Sequence, residues 1–234
     1  MRIATWNING LRSRLDFVLH WLRARQPDIV GLQELKLRDD QCPTLRFEAE
    51  GYHVVTHGQK AWNGVAILSR EPAGLSQRGL PGQEAMGSRL IAARIAGIDF
   101  TTIYLPNGKT LDHEDFPRKL AWLESLREHW AANHTADSSA VLRGDFNVCP
   151  APIDSWHEDP ARSCQADEER KGFQRLLGTG LTDLFRHRYP DVQKYSWWDY
   201  RMGAFHRNMG LRIDLMLGTR SIIQRVSDVW IDRD

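Results

Sequence analysis

Val141-Leu142-Arg143-Gly144-Asp145-Phe146-Asn147-Val148 is an apolar lead-in, a glycine, and then two short polar residues flanking an aromatic. The pattern predicts a buried strand that ends in a tight loop and delivers polar side chains to a sheet edge. Along an extended backbone, alternate side chains share a face, so Asp145 and Asn147 fall on one side and Phe146 on the other. The same residues could equally end a strand in an Asx turn, because Asp and Asn are common turn formers. The rest of the chain decides between a turn and a site.

Working outward, the chain alternates strands and helices. Residues 2–6 read as a first strand, ended by Asn7, Asn9 and Gly10. Leu11, Leu15, Val18, Leu19 and Leu22 then recur at helical spacing, and Pro27 follows. Residues 28–33 (DIVGLQ), 52–56 and 64–69 (GVAILS) predict three more strands, the first presenting Glu34 at its end. Residues 89–95 and 98–105 predict a hairpin across Ala96 and Gly97, with Tyr104 at its end. Phe116, Leu120, Leu123, Leu126 and Trp130 mark a helix over 116–130, and another begins near Asp167. Residues 195–200 (YSWWDY) and 211–217 (LRIDLML) are strand-like, with Asp214 inside the second. Closely spaced strands cannot be joined by helices, so the sheets should be mixed. The economical architecture is an α/β fold of two mixed sheets packed on each other with helices outside.

With 234 residues, 26% charged and 41% hydrophobic, the chain can bury a sizeable core, and we expect one domain over 1–234. No apolar run approaches the ~18 residues that a membrane span needs. Three cysteines without CxxC spacing and an N-terminus without an apolar signal-type run fit a reducing cytoplasm. The formal net charge of +1 hides an uneven distribution. Residues 186–225 hold eight Lys or Arg against three acids, interleaved with aromatics, while residues 154–169 hold six acids against Arg162. Solvated surface accounts for both runs unless other features point to a partner.

Asn7, Glu34, Tyr104, Asp145, Asn147 and Asp214 all lie at or within predicted strands. Strand ends at one sheet edge converge, which is how a site is built from distant positions. Singly, Glu34 could be a surface acid, Tyr104 a half-buried aromatic and Asp214 a charge paired to an arginine. Together they form a set of hard oxygen donors with no Cys or His cluster. That donor chemistry suits Mg²⁺, or Mn²⁺, rather than zinc, and a phosphate ester is the natural substrate for such a metal.

The motifs WNING (6–10), LQELK (32–36), GQKAWNGVAILS (58–69), IYLPNG (103–108), GDFN (144–147) and GLRIDLML (210–217) together resemble the exonuclease III family of apurinic/apyrimidinic endonucleases. The resemblance covers nearly the whole chain. It implies a four-layered α/β sandwich, and a monomeric Mg²⁺-dependent enzyme that cuts duplex DNA 5′ to abasic sites and can act on 3′ ends as exonuclease or phosphatase. Glu34 would ligate the metal with Asn7 close by, Asp145 would position or deprotonate the attacking water, and Asn147 and Tyr104 would donate to the phosphate. Trp197, Leu211 and Ile213 match positions that accept a base-free sugar, although Trp197 could equally be a core aromatic. Arg201 matches a side chain inserted into the DNA, and Lys36, Asn63, Asn107, Lys109 and Arg212 match phosphate contacts. The family's pattern ends in an SDH loop whose histidine pairs with the aspartate matching Asp214, and the sequence stops at Asp234 before that point. Two further expectations therefore stand beside the first: a truncated chain, which we favour, or a relative that binds DNA without cutting it. A phosphatase of the same superfamily is the lesser alternative.

Overall fold

A computed structural model describes residues 1–159 and 163–233; Arg162, counted in the acidic run, and Asp234 lie outside them. The strands are β1 (Ile3–Asn7), β2 (Ile29–Gln33), β3 (His53–His57), β4 (Val65–Ser69), β5 (Gly74–Arg78), β6 (Leu90–Ile95), β7 (Ile98–Tyr104), β8 (Ala140–Asp145), β9 (Thr182–Asp183), β10 (Trp197–Trp198), β11 (Gly210–Leu211) and β12 (Asp214–Gly218). The helices are α1 (Leu11–Arg25), α2 (Thr44–Glu48), α3 (Asp115–Asn133), α4 (Asp167–Leu177), α5 (Leu184–Arg188) and α6 (Arg220–Ile223). Contacts gather the chain into two compact units, residues 1–104 with 139–145 and residues 105–138 with 146–234.

The first unit holds two mixed sheets. In one, β1 pairs parallel with β2, and β4 joins β2 and β3 antiparallel. In the other, β5, β6 and β7 are antiparallel neighbours and β8 runs parallel to β7. The sheets pack face to face through β1 with β8, β2 with β7 and β4 with β6. Every residue of β2 is buried, because both of its faces are covered. Val30 and Leu32 meet Leu11, Val18, Leu19 and Leu22 of α1 on the outer face. On the inner face Gly31 is obligatory: a Cβ there would come 2.4 Å from Thr102 Oγ1 and 2.7 Å from Arg143 Nε. Helix α1 stops where Gln26 turns left-handed and its N–H caps the Leu22 carbonyl.

Arg143 is fully buried, its guanidinium 5.0 Å over the Phe100 ring, and its nitrogens make no protein hydrogen bond. Burial pushes its pKa down to about 9.

In the second unit α3 and α4 pack on each other so closely that a Cβ on Gly172 would come 2.8 Å from Leu123 Cδ2. Antiparallel pairs join β9 to β12 and β10 to β11. No helix among the described residues is long and apolar enough to cross a membrane.

Two expected strands need correction. The one quoted first ends at Asp145; Asn147 sits at φ 48°, so strand alternation does not extend to it. Phe146 turns inward, edge-on to Phe173 at 5.8 Å. The strand expected over 211–217 is broken into β11 and β12, because the Arg212 N–H bonds to the Asp154 carbonyl and the Ile213 and Asp214 N–H groups share Ser196 Oγ. Asp214 therefore opens β12 rather than lying within it.

Candidate active site

In the first unit both pairs of parallel strands end at the site, where side chains leaving a sheet edge can converge. Asn7 closes β1, Glu34 follows β2, and Tyr104 and Asp145 face each other in register at the ends of β7 and β8. Gly144 makes the last pairing possible. At φ 147° it passes so close to β7 that a Cβ would lie 1.9 Å from the Ile103 carbonyl oxygen.

The Asn7 amide bridges the two acids, donating to Glu34 Oε1 at 2.9 Å and Asp145 Oδ2 at 2.8 Å. Its oxygen accepts the Asn9 N–H at 3.0 Å, which fixes which way the amide points. Lys36 Nζ lies 2.8 Å from Glu34 Oε2 and also donates to Asn9 Oδ1. Burial works to raise the Glu34 pKa, but hydrogen bonds from Lys36, Asn7 and Tyr104 outweigh it and hold the carboxyl below its ordinary value. The Tyr104 phenol is pushed well above its ordinary value, first by burial and then by the charges of Glu34 and Asp145. Tyr104 therefore stays a neutral donor. Arg89 lies 4.8 Å over its ring and bonds the carbonyls of Met86 and Tyr104.

Glu34, Lys36, Asn9 and Asn63 all have φ near +50°, a conformation that non-glycine residues rarely adopt. Tertiary hydrogen bonds hold it: Gly10 N–H to the Glu34 carbonyl, Leu35 N–H to Gly64, and Lys36 N–H to Asn63. Strain maintained in this way accumulates at functional sites.

In the second unit the Asn107 amide donates to Asn147 Oδ1 at 3.0 Å, and Asn147 Nδ2 donates to the Leu105 carbonyl at 2.9 Å. Lys119, fully buried, donates to the carbonyls of Asn147 and Asn107 and pairs with the equally buried Glu169. Leu211 and Ile213 are buried with Cys149 and Cys164, and the half-buried Trp197 packs against them. Lys109 is exposed and paired to Asp115 at 2.8 Å; Arg201 is exposed and forked onto Asp199.

Two expected phosphate contacts need correction. Arg212 is 1% exposed, held by Asp154 at 2.6 Å and Asp183 at 2.7 Å. Burial alone would lower its pKa, but Asp183 and Asp154 more than offset that, so it is an internal cation. Asn63 is buried too, and its amide donates to Gln59 and Met86, closing its own loop.

Asn9, Arg89, Lys119 and Glu169 escaped sequence reasoning. Lys119 did carry a signal: with Phe116, Leu120 and Leu123 it occupies the apolar stripe of its helix.

Glu34 and Asp145, two carboxylates converging on one amide, suit a hard divalent cation. No group of three or more His, Cys, Asp or Glu gathers among the described residues. One or two carboxylates suffice for a hard divalent cation where water and substrate phosphate complete the shell.

Comparison with known proteins agrees with the sandwich. The chain is 39% identical to an AP endonuclease from Archaeoglobus fulgidus, superposing with a TM-score of 0.94 over 97% of this chain and 90% of that one. It is 38% identical to the 3′ phosphatase NExo from Neisseria, solved bound to a product DNA hairpin, with a TM-score of 0.90 over 96% and 88% of the two chains. Exodeoxyribonuclease III of Haemophilus influenzae is 35% identical across 100% of this chain and 93% of that protein. The Endonuclease/Exonuclease/phosphatase family matches residues 4–234. With its acids, amides and tyrosine at the strand ends and relatives aligned over its full extent, the chain is an enzyme of the Endonuclease/Exonuclease/phosphatase family, in the exonuclease III branch.

Proposed function

We propose that the protein is a Mg²⁺-dependent DNA-repair phosphodiesterase that nicks duplex DNA 5′ to abasic sites and also trims or dephosphorylates 3′ ends. The observation that carries this reading is the Asn7 amide joining Glu34 to Asp145 beside a phenol kept protonated. An acid that accepts a proton and a neutral donor are what hydrolysis of an anionic ester requires.

A divalent cation at Glu34, when bound, supplies charge neutralisation for the phosphate and the leaving oxygen. Asp145 orients the attacking water and accepts its proton. Tyr104 and Asn147 donate to phosphate oxygens without adding negative charge. Asp214 completes the polar set of the catalytic machinery. Lys36, Asn107 and Lys109 contact backbone phosphates, and Arg201 enters the duplex. Trp197, Leu211 and Ile213 line the recess for the extruded sugar, whose extrusion is cheaper where no base is stacked. The cytoplasm is the compartment we propose, on cysteine usage.

The test is incubation of the full-length protein with a duplex containing one tetrahydrofuran abasic analogue, in Mg²⁺ and in EDTA. We expect a single nick 5′ to the analogue in Mg²⁺ and none in EDTA. An intact duplex in Mg²⁺ overturns the reading. Asp145→Asn should lower kcat by about 10²–10⁴-fold, the usual contribution of a general base.

A further inference from the structure

Lys119 stands in the apolar stripe of α3, where an aliphatic side chain would fill the same space. Burying an ammonium is costly, and a buried ion pair kept for stability alone can be exchanged for apolar residues without loss. Its contacts give another reason for it to be there. An ammonium has three donors, and three acceptors surround this one: the Glu169 carboxylate, the Asn147 carbonyl at 2.7 Å and the Asn107 carbonyl at 3.2 Å.

Those carbonyls belong to the two residues whose side chains pair at 3.0 Å. Asn147 and Lys109 hold left-handed φ values of 48° and 57°, so both loops are conformations that something must hold in place. Ser163 Oγ donates to the Asn107 carbonyl as well, at 2.8 Å. Glu169, in the first turn of α4, accepts the N–H groups of Cys164 at 2.6 Å and Ala166 at 3.3 Å, so the anion is itself fixed by its helix terminus. Even Gly108 is shaped around the lysine: a Cβ there would lie 2.8 Å from Lys119 Cδ.

We propose that Lys119 is a positioning residue for the reaction. It clamps the backbones of Asn107 and Asn147 together so that the Asn147 amide is presented in one orientation, and Glu169 holds the ammonium in place. The proposal rests on the reading of Asn147 as a phosphate donor. Lys119 itself touches neither substrate nor metal.

The experiment is steady-state kinetics on the abasic-analogue duplex, normalised to folded protein by circular dichroism, for wild type, Lys119→Arg, N147A, the neutral double variant K119Q/E169Q and the triple variant adding N147A. The neutral pair leaves no unpaired buried charge. Misplacing Asn147 by about an ångström should cost K119Q/E169Q ~10²-fold in kcat. KM should stay within roughly threefold, because the loss falls on an interaction made in the transition state. Lys119→Arg, which keeps charge and donors, should recover part of that loss. Adding N147A to the neutral pair should cost no more than roughly threefold beyond N147A alone, since both act through one amide.

A merely structural lysine would lower stability but leave kcat per folded molecule unchanged, or give losses that multiply in the triple variant. Either result overturns the proposal. If K119Q/E169Q does not fold, Glu169→Gln, which retains size and shape, replaces it, and an unchanged kcat there has the same force. N147A running at the wild-type rate would instead overturn the phosphate-donor reading beneath the proposal, so the two failures are separable.

Discussion

Burial and the charges of Glu34 and Asp145 make Tyr104 a weaker acid than an ordinary tyrosine, while Arg89 over its ring works the other way. A group whose pKa is raised on folding contributes stability that is fully present below its unfolded value, about pH 10. That contribution is lost as pH rises further, through the folded value. We expect the absorbance of tyrosinate at 295 nm to rise identically in wild type and Tyr104→Phe around that pH. A deficit of one tyrosine in the variant there would show that Tyr104 ionises normally. Arg143 invites a second prediction at the same scale. Its buried nitrogens make no protein hydrogen bond, and replacing a buried charge with an apolar side chain of similar volume is often neutral or stabilising. Arg143→Met should therefore raise stability by ~1–4 kcal/mol, read from the urea midpoint at constant slope.

At the scale of elements, β8 depends on one atom that is not there. Gly144→Ala places a Cβ 1.9 Å from the Ile103 carbonyl, against backbone that cannot swing aside. We expect a loss of about 4 kcal/mol or more in urea unfolding, among the largest a single substitution causes. A loss below 1 kcal/mol would mean that β7 and β8 separate easily there. The long periodic elements α1, α3 and α4, and the apolar strands β2, β4, β6, β7 and β8, were readable because apolar spacing reports the buried face directly. The short elements α2, β5, β9, α5 and α6 were not. Two to five residues of mixed polarity show neither a helical period nor a continuous apolar run, and β5 is mostly exposed. The break between β11 and β12 was also invisible in LRIDLML, because Asp154 and Ser196 make it from outside the segment.

For the whole molecule, a net charge of +1 means that attraction to DNA has to come from local groups. Lys109 is exposed, so Lys109→Ala should flatten the plot of log affinity against log salt by about 0.9, the slope of one released counterion. Arg212, enclosed by Asp154 and Asp183, should behave oppositely. Arg212→Met is expected to leave the slope unchanged and to cost about 3–5 kcal/mol in unfolding free energy, because buried Asp183 loses its counter-ion and buried Asp154 keeps only Arg186. Duplex binding across a salt series and urea unfolding of the same samples check both.

The sequence by itself determined the succession of the longer strands and helices and the donor types that arrive at strand ends. Both follow from spacing and residue chemistry within a few positions, and the motif wording extended them to a family. What only the tertiary structure decided was the role of each charge. Lys119, Arg143 and Arg212 carry positive charge, yet all three are buried. Burial of a cation is set by what packs on it from far along the chain: Arg212 meets Asp154 from 58 residues away and Lys119 meets the carbonyl of Asn147 from 28. No local pattern carries that distance, so the apolar stripe of its helix could mark Lys119 as unusual without naming the carbonyls that it holds.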